Sequence, residues 1–450
     1  MDENDLVGVS RDALLALVVE LRAIVAQRDA TIGALQTRIA ALEQRLTDRG
    51  GPGMPGNKVA ATKPKLPPKE RKKRVRGFGR PRLTPTEVVQ HAVETCPACG
   101  TGLVGGWVQR TREVIEIPVV AVRVIAHQYL ARECPLCGKR HVPPVVLDGV
   151  VLGKRHRLGI ELVSQIVTLR EEARLPFATI QWYLATVYQV HLSQGELVAV
   201  VQAVAERARA PVAEIKAAIQ QSPVVHMDET GWREKGTNGF AWTSSTPTER
   251  YFTRGKRTKE VVDEVLGPAF AGTLVSDFYA AYHHYPGVHQ RCWAHLLRDI
   301  HTLKEVYPSD QSVADWAAVV LDLYREGTDF SHPDETPRRA KQHDLEERLL
   351  AAGRPFVADP LAVQAKLCRR IARHLKELFV FVGDPTVPST NNAAERSLRH
   401  LVTSRKISGG TQSELGTTSK MTLASLFGTW RVRGLNPLEA CRNLLQSPHR

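Results

Sequence analysis

Two acidic residues each follow a short apolar run, and this repeated pattern is the first sign of chemistry in the sequence. Asp228 follows the run in "VVHMD" (224–228), and Asp277 follows the run in "GTLVSD" (272–277). Two carboxylates a few ångströms apart repel each other unless a cation lies between them. Two divalent ions held about 3.5–4 Å apart can activate an attacking oxygen and stabilise the leaving oxygen of a phosphodiester. The sequence therefore predicts such a site, provided that the fold brings both acids together.

A two-metal site needs a third acid, and Glu395 in "STNNAAERSLRHL" (389–401) is the candidate. It lies near the start of a predicted helix, and Arg399 shares its face one turn later. A structural alternative stays open, because Asn392 and Glu395 also have the spacing of a capping box. Each acid taken singly is typical of a protein surface. The combination of all three is what indicates a catalytic, metal-binding set.

The elements that must position these acids follow Pro223. The pattern predicts three strands (224–232, 239–246 and 249–255), a helix in "TKEVVDEVLG", a strand at the second acid, and then a short strand and helix in "VHQRCWAHLLRDIHTLK". This is the connectivity of an RNase H-like domain, in which the first and fourth strands are neighbours. Asp228 and Asp277 would then lie side by side. The helical pattern from about 300 to 385 predicts a helical insertion within this domain.

Four of the seven cysteines form two tight pairs, in "CPACG" (96–100) and "CPLCG" (134–138). Two such knuckles present four thiolates to one tetrahedral ion, so Cys96, Cys99, Cys134 and Cys137 are predicted to bind a structural zinc. The segments between them alternate like strands, and we expect a small strand pair. A pair of redox dithiols is the alternative, although a single pair would suffice for that role.

The first 48 residues carry a heptad pattern of apolar residues, interrupted at Arg28. The seam is formed by Leu14, Val18, Leu21, Val25, Ile32, Leu35, Ile39, Leu42 and Leu46. Such a pattern over more than four heptads favours a parallel coiled-coil dimer. A single amphipathic helix packed on its own protein is the structural alternative.

Most of the net charge of +14 lies in one segment, because residues 49–82 contain twelve Lys or Arg and one Glu. A concentrated basic segment in a cytosolic chain usually meets nucleic acid. The predicted DNA-binding residues are Lys72, Lys73, Arg74, Arg76, Arg80 and Arg82, and "GFGRPRL" (77–83) is similar to the Gly-Arg-Pro core of minor-groove hooks. A solvated, disordered linker is the alternative.

Residues 155–222 have helical periodicity, with Ser193 predicted as the N-cap of a helix and Glu196 completing a capping box. The shape indicates a helix-turn-helix, although helical hairpins that bind nothing have the same pattern. The chain is thus predicted to be a multidomain α/β protein. Its predicted parts are a coiled coil (1–48), a basic Pro/Gly linker (49–88), a zinc-binding module (89–147), a helical DNA-binding domain (148–222), an RNase H-like catalytic domain (223–415) with its insertion, and a C-terminal helical segment (416–450).

The motifs "HMDETGWR", "SDFYAAY", "RCWAHLLRD" and "NNAAERSLRHLVTSRKISGG", with the twin knuckles, resemble the insertion sequence 66 family of bacterial DDE transposases. The resemblance implies that Asp228, Asp277 and Glu395 bind two Mg²⁺ or Mn²⁺ ions. It implies cleavage at the ends of a mobile element, followed by attack of the freed 3′-hydroxyl on target DNA. Cys292 and His295 match a Cys-x-x-His element of several DDE families and are, with Arg399, candidate accessory residues.

The expected partners are double-stranded DNA, further copies of the chain and accessory proteins of the same element. No secretory signal or membrane span is evident, which predicts a cytoplasmic, nucleoid-associated bacterial protein. Two alternatives stay open on the sequence alone. One is a non-catalytic DNA-binding regulator, and the other is an RNase H-fold nuclease without strand transfer.

Deleting the first 48 residues tests the coiled-coil prediction. The full chain should be a dimer or a higher even oligomer, and the truncated chain should form a smaller oligomer or a monomer by light scattering because it lacks the apolar seam. An unchanged number of chains per particle would contradict the prediction and favour a helix that packs within its own chain.

Overall fold

The computed structural model describes residues 10–47, 83–117, 121–144, 158–359 and 362–447. The chain consists of two compact units, Met1–Glu116 and Ile117–Arg450. Within the described ranges, no helix is both long and apolar enough to cross a membrane. The predicted DNA-binding residues of the basic segment lie outside the described residues: Lys72, Lys73, Arg74, Arg76, Arg80 and Arg82.

The N-terminal apolar pattern forms one long helix, α1 (Arg11–Thr47). Six seam residues with described side chains are about half exposed: Val18, Leu21, Val25, Ile32, Leu35 and Ile39. The side chains of Leu14, Leu42 and Leu46 lie outside the described residues. The predicted helix is therefore confirmed, and its seam presents an apolar stripe at the surface of the single chain.

The first Cys-x-x-Cys pair forms a tight turn closed by backbone hydrogen bonds. The N–H of Gly100 donates to Cys96 O (2.9 Å), and the N–H of Cys96 donates to Thr101 O (2.8 Å). Gly100 has a φ of +76°, which glycine adopts without steric cost. The hydrogen bond with the Thr101 side chain lowers the pKa of Cys99. A lowered pKa favours the thiolate, which is the form that binds a metal.

The second pair forms the same turn. The N–H of Gly138 donates to Cys134 O (2.8 Å), and Gly138 has a φ of +67°. The turn joins two short antiparallel strands, β1 (Arg132–Glu133) and β2 (Arg140–His141). A backbone hydrogen bond from Cys137 lowers the pKa of Cys134. The expected small strand pair is thus present at this knuckle.

The strand-like alternation between the knuckles does not produce long strands. Residues 111–117 and 121–131 contain no strand. Their apolar side chains, including Val114, Ile117 and Val124, are exposed. A strand needs a neighbouring strand to pair its N–H and C=O groups, and alternation alone does not supply one. The prediction of strands in these two stretches was wrong.

Four helices follow: α2 (Ile160–Glu171), α3 (Phe177–Tyr188), α4 (Gln194–Arg207) and α5 (Arg209–Gln220). The predicted capping box is confirmed, because Ser193 Oγ accepts the N–H of Glu196 (3.2 Å) and Glu196 Oε2 accepts the N–H of Ser193 (2.7 Å). The two hydrogen bonds satisfy donors that the first turn of α4 leaves free, and so they fix where this helix begins.

A five-stranded sheet follows the helices. Its strands in chain order are β3 (Val224–Glu234), β4 (Thr237–Ser245), β5 (Arg250–Gly255), β6 (Thr273–Ser276) and β7 (His289–Arg291). The spatial order is β5-β4-β3-β6-β7. The β3–β4 and β4–β5 pairs are antiparallel, whereas β3–β6 and β6–β7 are parallel. The predicted neighbourhood of the first and fourth strands is therefore confirmed.

Helices surround and interrupt this sheet. The helix α6 (Lys259–Leu266) connects β5 to β6, and a 3₁₀ turn (Ala280–His284) precedes β7. The helices that follow β7 are α7 (Trp293–Val306), α8 (Gln311–Asp329), α9 (Glu335–Ala358), α10 (Ala365–Arg373) and the short α11 (Val380–Gly383). They enclose a core of their own, which includes Trp316, Leu345 and Phe379. The region predicted to be helical is helical.

Three helices complete the chain: α12 (Asn392–Ser408), α13 (Glu414–Val432) and α14 (Pro437–Gln446). Apolar residues of α13 and α14, such as Phe427 and Leu445, share one core with α2–α5. Lys420 and Glu171 form a buried ion pair at 2.7 Å between α13 and α2. Removing one partner of such a pair costs about 3–5 kcal/mol, because the other charge stays buried. The C-terminal helices therefore hold the earlier helices to the sheet.

The two Cys-x-x-Cys pairs of the sequence predict one zinc ion per chain. Reduced protein purified without chelator should contain close to one zinc by elemental analysis, because four thiolates complete a tetrahedral shell. The double variant Cys96→Ser/Cys99→Ser should lose it. His141→Ala, which removes a donor close to the second knuckle, should keep it. Zinc near zero in the parent, or zinc lost only with His141, would contradict the four-thiolate site.

Candidate active site

The parallel register of β3 and β6 sets Asp228 level with Asp277. The last parallel pair is His226 with Val275, and each acid lies two residues further along its strand direction. Side chains alternate across a strand, so positions two residues apart point to the same face. The register therefore sets Asp228 and Asp277 side by side, at the same level of the sheet and on the same face.

Asp228 does not end its strand, although the apolar run stops there. β3 continues to Glu234, and Asp228 itself pairs with Thr243 of β4. Only the pairing with β6 ends near Asp228, because β6 stops at Ser276. Asp277 then turns the chain, since its Oδ1 accepts the N–H of Tyr279 (2.8 Å). One side of β3 is thereby left open at the carboxylate.

Glu395 reaches the acids because Asn391 anchors the start of α12. The Asn391 side chain is fully buried, and its Nδ2 donates to Met227 O (2.6 Å), directly before Asp228. The N–H of Asn391 donates to Cys292 Sγ (3.1 Å), and its O accepts the N–H of Glu395 (3.2 Å). The helix N-terminus is thus attached both to β3 and to the start of α7.

The capping-box alternative for Glu395 does not occur. Asn391 is the N-cap residue of α12, and no side-chain capping hydrogen bond forms there. The Asn391 amide bonds to β3, as described above, and Glu395 Oε1 has no hydrogen-bond partner within the described residues. The carboxylate of Glu395 is therefore free of a helix-capping role.

His226 completes the anchor of Asn391. Its Nδ1 lies 3.1 Å from Asn391 Oδ1. Burial lowers the pKa of His226 to about 4, so the ring is neutral near pH 7. Because Asn391 Oδ1 can only accept, Nδ1 carries the proton and donates. The asparagine amide is thereby oriented with its Nδ2 towards Met227 O.

The two predicted accessory residues on α7 lie beside Glu395. Ligand atoms of Cys292, His295 and Glu395 are all within 4.8 Å of one another. His295 Nδ1 is 3.8 Å from Glu395 Oε1, and the hydrogen bond with Cys292 raises the pKa of His295. Cys292 is fully buried, and its sulfur already accepts the N–H of Asn391. Cys292 therefore has a structural contact, and His295 is the member that faces the acid.

The carboxylates fit a divalent cation. Burial, with the negative charges of Glu229, Asp277 and Glu395, raises the pKa of Asp228 to about 7. Glu395 Oε1 is buried and without a hydrogen-bond partner in the described part of the chain. A cation between the acids would favour the ionised form of Asp228 and supply a partner for the Glu395 oxygen. Oxygen donors of this kind suit Mg²⁺ or Mn²⁺.

Glu229, next to the first acid, has a defined role in the packing. Its side chain is 3% exposed and forms an ion pair with Arg257 (2.7 Å). Its other oxygen accepts the Tyr282 hydroxyl proton (2.6 Å). Glu229 thus ties β3 to the loop before α6 and to the turn after β6. Trp232 is 2% exposed, packs against α12 and α13, and donates to Thr411 Oγ1 (3.0 Å), so its ring is not available to stack on a base.

Sequence reasoning selected the three acids as candidates but missed the residues around them, namely Asn391, His226 and Tyr282. A signal for His226 was present, because it is a lone polar residue within the apolar run "VVHM" and must find a partner if buried. Asn391 could be suspected only from its place directly before the helix of Glu395. Arg399, the remaining accessory candidate, is exposed on α12, one turn beyond Glu395.

Replacing Asn391 tests its role as the anchor. Asn391→Asp keeps the shape but replaces the Nδ2 donor by an oxygen that faces Met227 O, which should lower the free energy of unfolding by about 1–3 kcal/mol. Asn392→Asp, at the exposed neighbour, is the matched control and should change it by less than about 0.5 kcal/mol. Urea unfolding followed by tryptophan fluorescence measures both. Equal stability of the two variants would remove the anchoring role.

Comparison with known proteins shows the family of the chain. The sequence model described as Transposase IS66 family matches residues 155–419, and the one described as zinc-finger binding domain of transposase IS66 matches residues 94–138. Uncharacterized protein y4jO of Sinorhizobium fredii is 41% identical over 71 residues, which are 16% of this chain and 22% of that relative. The match thus spans less than a quarter of the relative's length. The first family match covers more than half of the chain and includes the three acids, so the chain belongs to the IS66 family of transposases.

Proposed function

We propose that this chain is a DDE transposase that cleaves DNA at the ends of a mobile element and joins the freed ends to target DNA. The observation that carries the proposal is the convergence of three acids from distant parts of the sequence. Asp228 and Asp277 are level with each other on two adjacent parallel strands. Burial, followed by the negative charges of Glu229, Asp277 and Glu395, raises the pKa of Asp228. Membership of the IS66 family supports the same activity.

The strand order supports an RNase H-like core. Three antiparallel strands are followed, after a helix, by two strands parallel to the first, in the order β5-β4-β3-β6-β7. Asp228 lies on the central strand β3, Asp277 directly follows the neighbouring strand β6, and Glu395 lies on α12, which packs against β3 and β4. We assign residues 223–415 to this core, with the helical stretch from about 300 to 385 as its insertion.

The residues of the site have two kinds of role in this proposal, metal binding and positioning. Asp228, Asp277 and Glu395 would hold two Mg²⁺ or Mn²⁺ ions, which when bound activate the attacking oxygen and stabilise the leaving one. Asn391 and His226 position Glu395 against β3. Glu229, with Arg257 and Tyr282, fixes the strand that carries Asp228. Cleavage uses water and joining uses a 3′-hydroxyl, and both form one P–O bond while the opposite one breaks.

Other parts of the chain supply DNA contact and assembly in this proposal. The basic segment would neutralise phosphates, which makes affinity dependent on salt. The α3–α4 hairpin and the zinc module would contribute further DNA contacts, and the stripe on α1 would pair two chains. Such an assembly brings two element ends together in the cytoplasm, at the nucleoid, with or without accessory proteins of the element.

Three conservative substitutions test the proposed activity. Asp228→Asn, Asp277→Asn and Glu395→Gln each remove a negative ligand at nearly constant volume. Each should retain affinity for element-end DNA yet lose magnesium-dependent cleavage and strand joining by at least about 10²-fold, the scale on which removal of one group that stabilises developing charge lowers kcat. Glu260→Gln, at an exposed acid on α6, is the control and should keep parental activity.

The outcomes separate the rival functions. Full cleavage by Glu395→Gln would mean that another residue is the third acid. Cleavage by the parent without any strand joining would favour a nuclease of the same fold. If the parent binds element ends but never cleaves with magnesium or manganese, the chain is a non-catalytic DNA-binding regulator.

A further inference from the structure

A cleft rich in arginine lies on the flank of α12. It has a volume of about 430 Å³ and is bounded by α12, α13, β5 and the loop after α2. Its charged and imidazole side chains are Arg174, Arg250, Arg396, Arg399, His400 and Arg431. Phe252 and Val432 provide apolar surface. The volume lies within the range of about 300–1,000 Å³ that is usual for ligand sites.

The positive charge of this cleft is poorly compensated. Arg431 forms an ion pair with Glu172 (2.6 Å). The other four arginines have no carboxylate within ion-pair distance in the described part of the chain. Arg250 donates instead to the carbonyl of Glu249 (2.6 Å). Burial, followed by the charges of Arg396 and Arg431, lowers the pKa of Arg250 to about 10. Such crowding of like charges is unfavourable unless an anion joins them.

Two contacts hold the cleft in shape. Burial lowers the pKa of His400 to about 4, so its ring is neutral. Its Nε2 donates to the carbonyl of Glu171, which leaves Nδ1 to accept from Arg174 Nη1 (3.3 Å). Gly428 allows α13 to lie against β5, because an added Cβ would approach Arg250 Cβ to 3.1 Å. The arginines therefore project from a fixed wall.

The cleft adjoins the proposed catalytic acids. Glu395 and Arg399 are four residues apart on α12, on one face and about 6 Å apart along the helix axis. Arg396 follows Glu395 directly. A polyanion that enters the site of Glu395 can therefore reach these guanidinium groups without a change in the fold.

We propose that this cleft binds a backbone phosphate of the DNA strand close to the cleaved bond. Guanidinium groups bind phosphate oxygens through paired hydrogen bonds, and several of them converge here on one opening. The apolar wall would contact the sugar of the bound nucleotide. This inference rests on the proposed function, since it assigns the ligand to the same DNA. The arginines act in binding and positioning, and they take no part in bond making.

The test compares two pairs of arginines. Arg396→Gln/Arg399→Gln removes two exposed charges of the cleft. Arg369→Gln/Arg373→Gln removes two exposed charges of α10, away from the cleft, as the matched control. Affinity for a labelled DNA duplex is measured by anisotropy over about 50–200 mM salt, in chelator, so that cleavage plays no part. The cleft pair should lose at least about tenfold in affinity, and its salt slope should fall by about 1 for each lost phosphate contact.

A pair of substitutions that conserves charge tests whether the geometry of arginine is needed. Arg396→Lys/Arg399→Lys should keep the parental salt slope but lose affinity, because lysine lacks the paired geometry of arginine. Thermal unfolding checks that each variant is folded. Equal effects of the cleft pair and the control pair would overturn the proposal, since only overall charge would then matter.

Pyrophosphate distinguishes DNA from a small anion as the ligand. Competition with DNA in the parent, reduced in the cleft pair, supports the proposed phosphate site. If the parent binds pyrophosphate but the Arg396→Gln/Arg399→Gln variant keeps the parental affinity for DNA, the ligand of the cleft is a free anion and the DNA assignment is overturned. DNA binding is measured without divalent cations and therefore does not depend on cleavage. A parent protein that never cleaves would refute the transposase activity, and the binding comparison would still decide whether the cleft contacts DNA. A parent that cleaves and a cleft pair with unchanged salt slope would refute the cleft alone.

Discussion

The Asn391 side chain is fully buried and uses both ends of its amide on β3, through Met227 O and His226. Its backbone C=O accepts the N–H of Glu395 in the first turn of α12, and its backbone N–H donates to Cys292 Sγ. Three segments far apart in the sequence therefore meet at one residue. A buried amide with unpaired groups would cost about 1–3 kcal/mol, so the network favours a single arrangement. Glu395 is held near Asp228 as a consequence of this arrangement.

The charges along α12 follow from the same placement. Glu395 adds to a group of half-buried carboxylates, and Arg396 and Arg399, which follow it, belong to a cleft of guanidinium groups. The chain compensates each group only in part, through Arg257 and Glu172, so the acids still favour cations and the arginines still favour an anion. DNA with bound divalent ions supplies both at once. A helix that carries the two groups side by side thus suits a substrate whose phosphates need contact on both sides of the reacting bond.

The acids could be chosen as candidates from the sequence because apolar runs that end in carboxylates predict strands that carry them to one edge of a sheet. The succession of strands and helices along the catalytic region and the capping box at Ser193 could also be predicted, since both depend on local pattern. The hydrogen bonds of Asn391 could not be predicted from the sequence, because they join positions more than 160 residues apart. The strand-like stretches between the knuckles show the opposite error: alternation was present, but pairing partners were not.

The insertion is compatible with the site because it begins and ends at the same place. The N–H of Trp293, at the start of α7, donates to Ser389 O (3.0 Å), just before Asn391. The buried Gln290 side chain donates to Leu378 O and accepts the N–H of Phe381, both at 3.0 Å. The helices between these points fill their own core. They can therefore be long without separating β7 from α12, which carries Glu395.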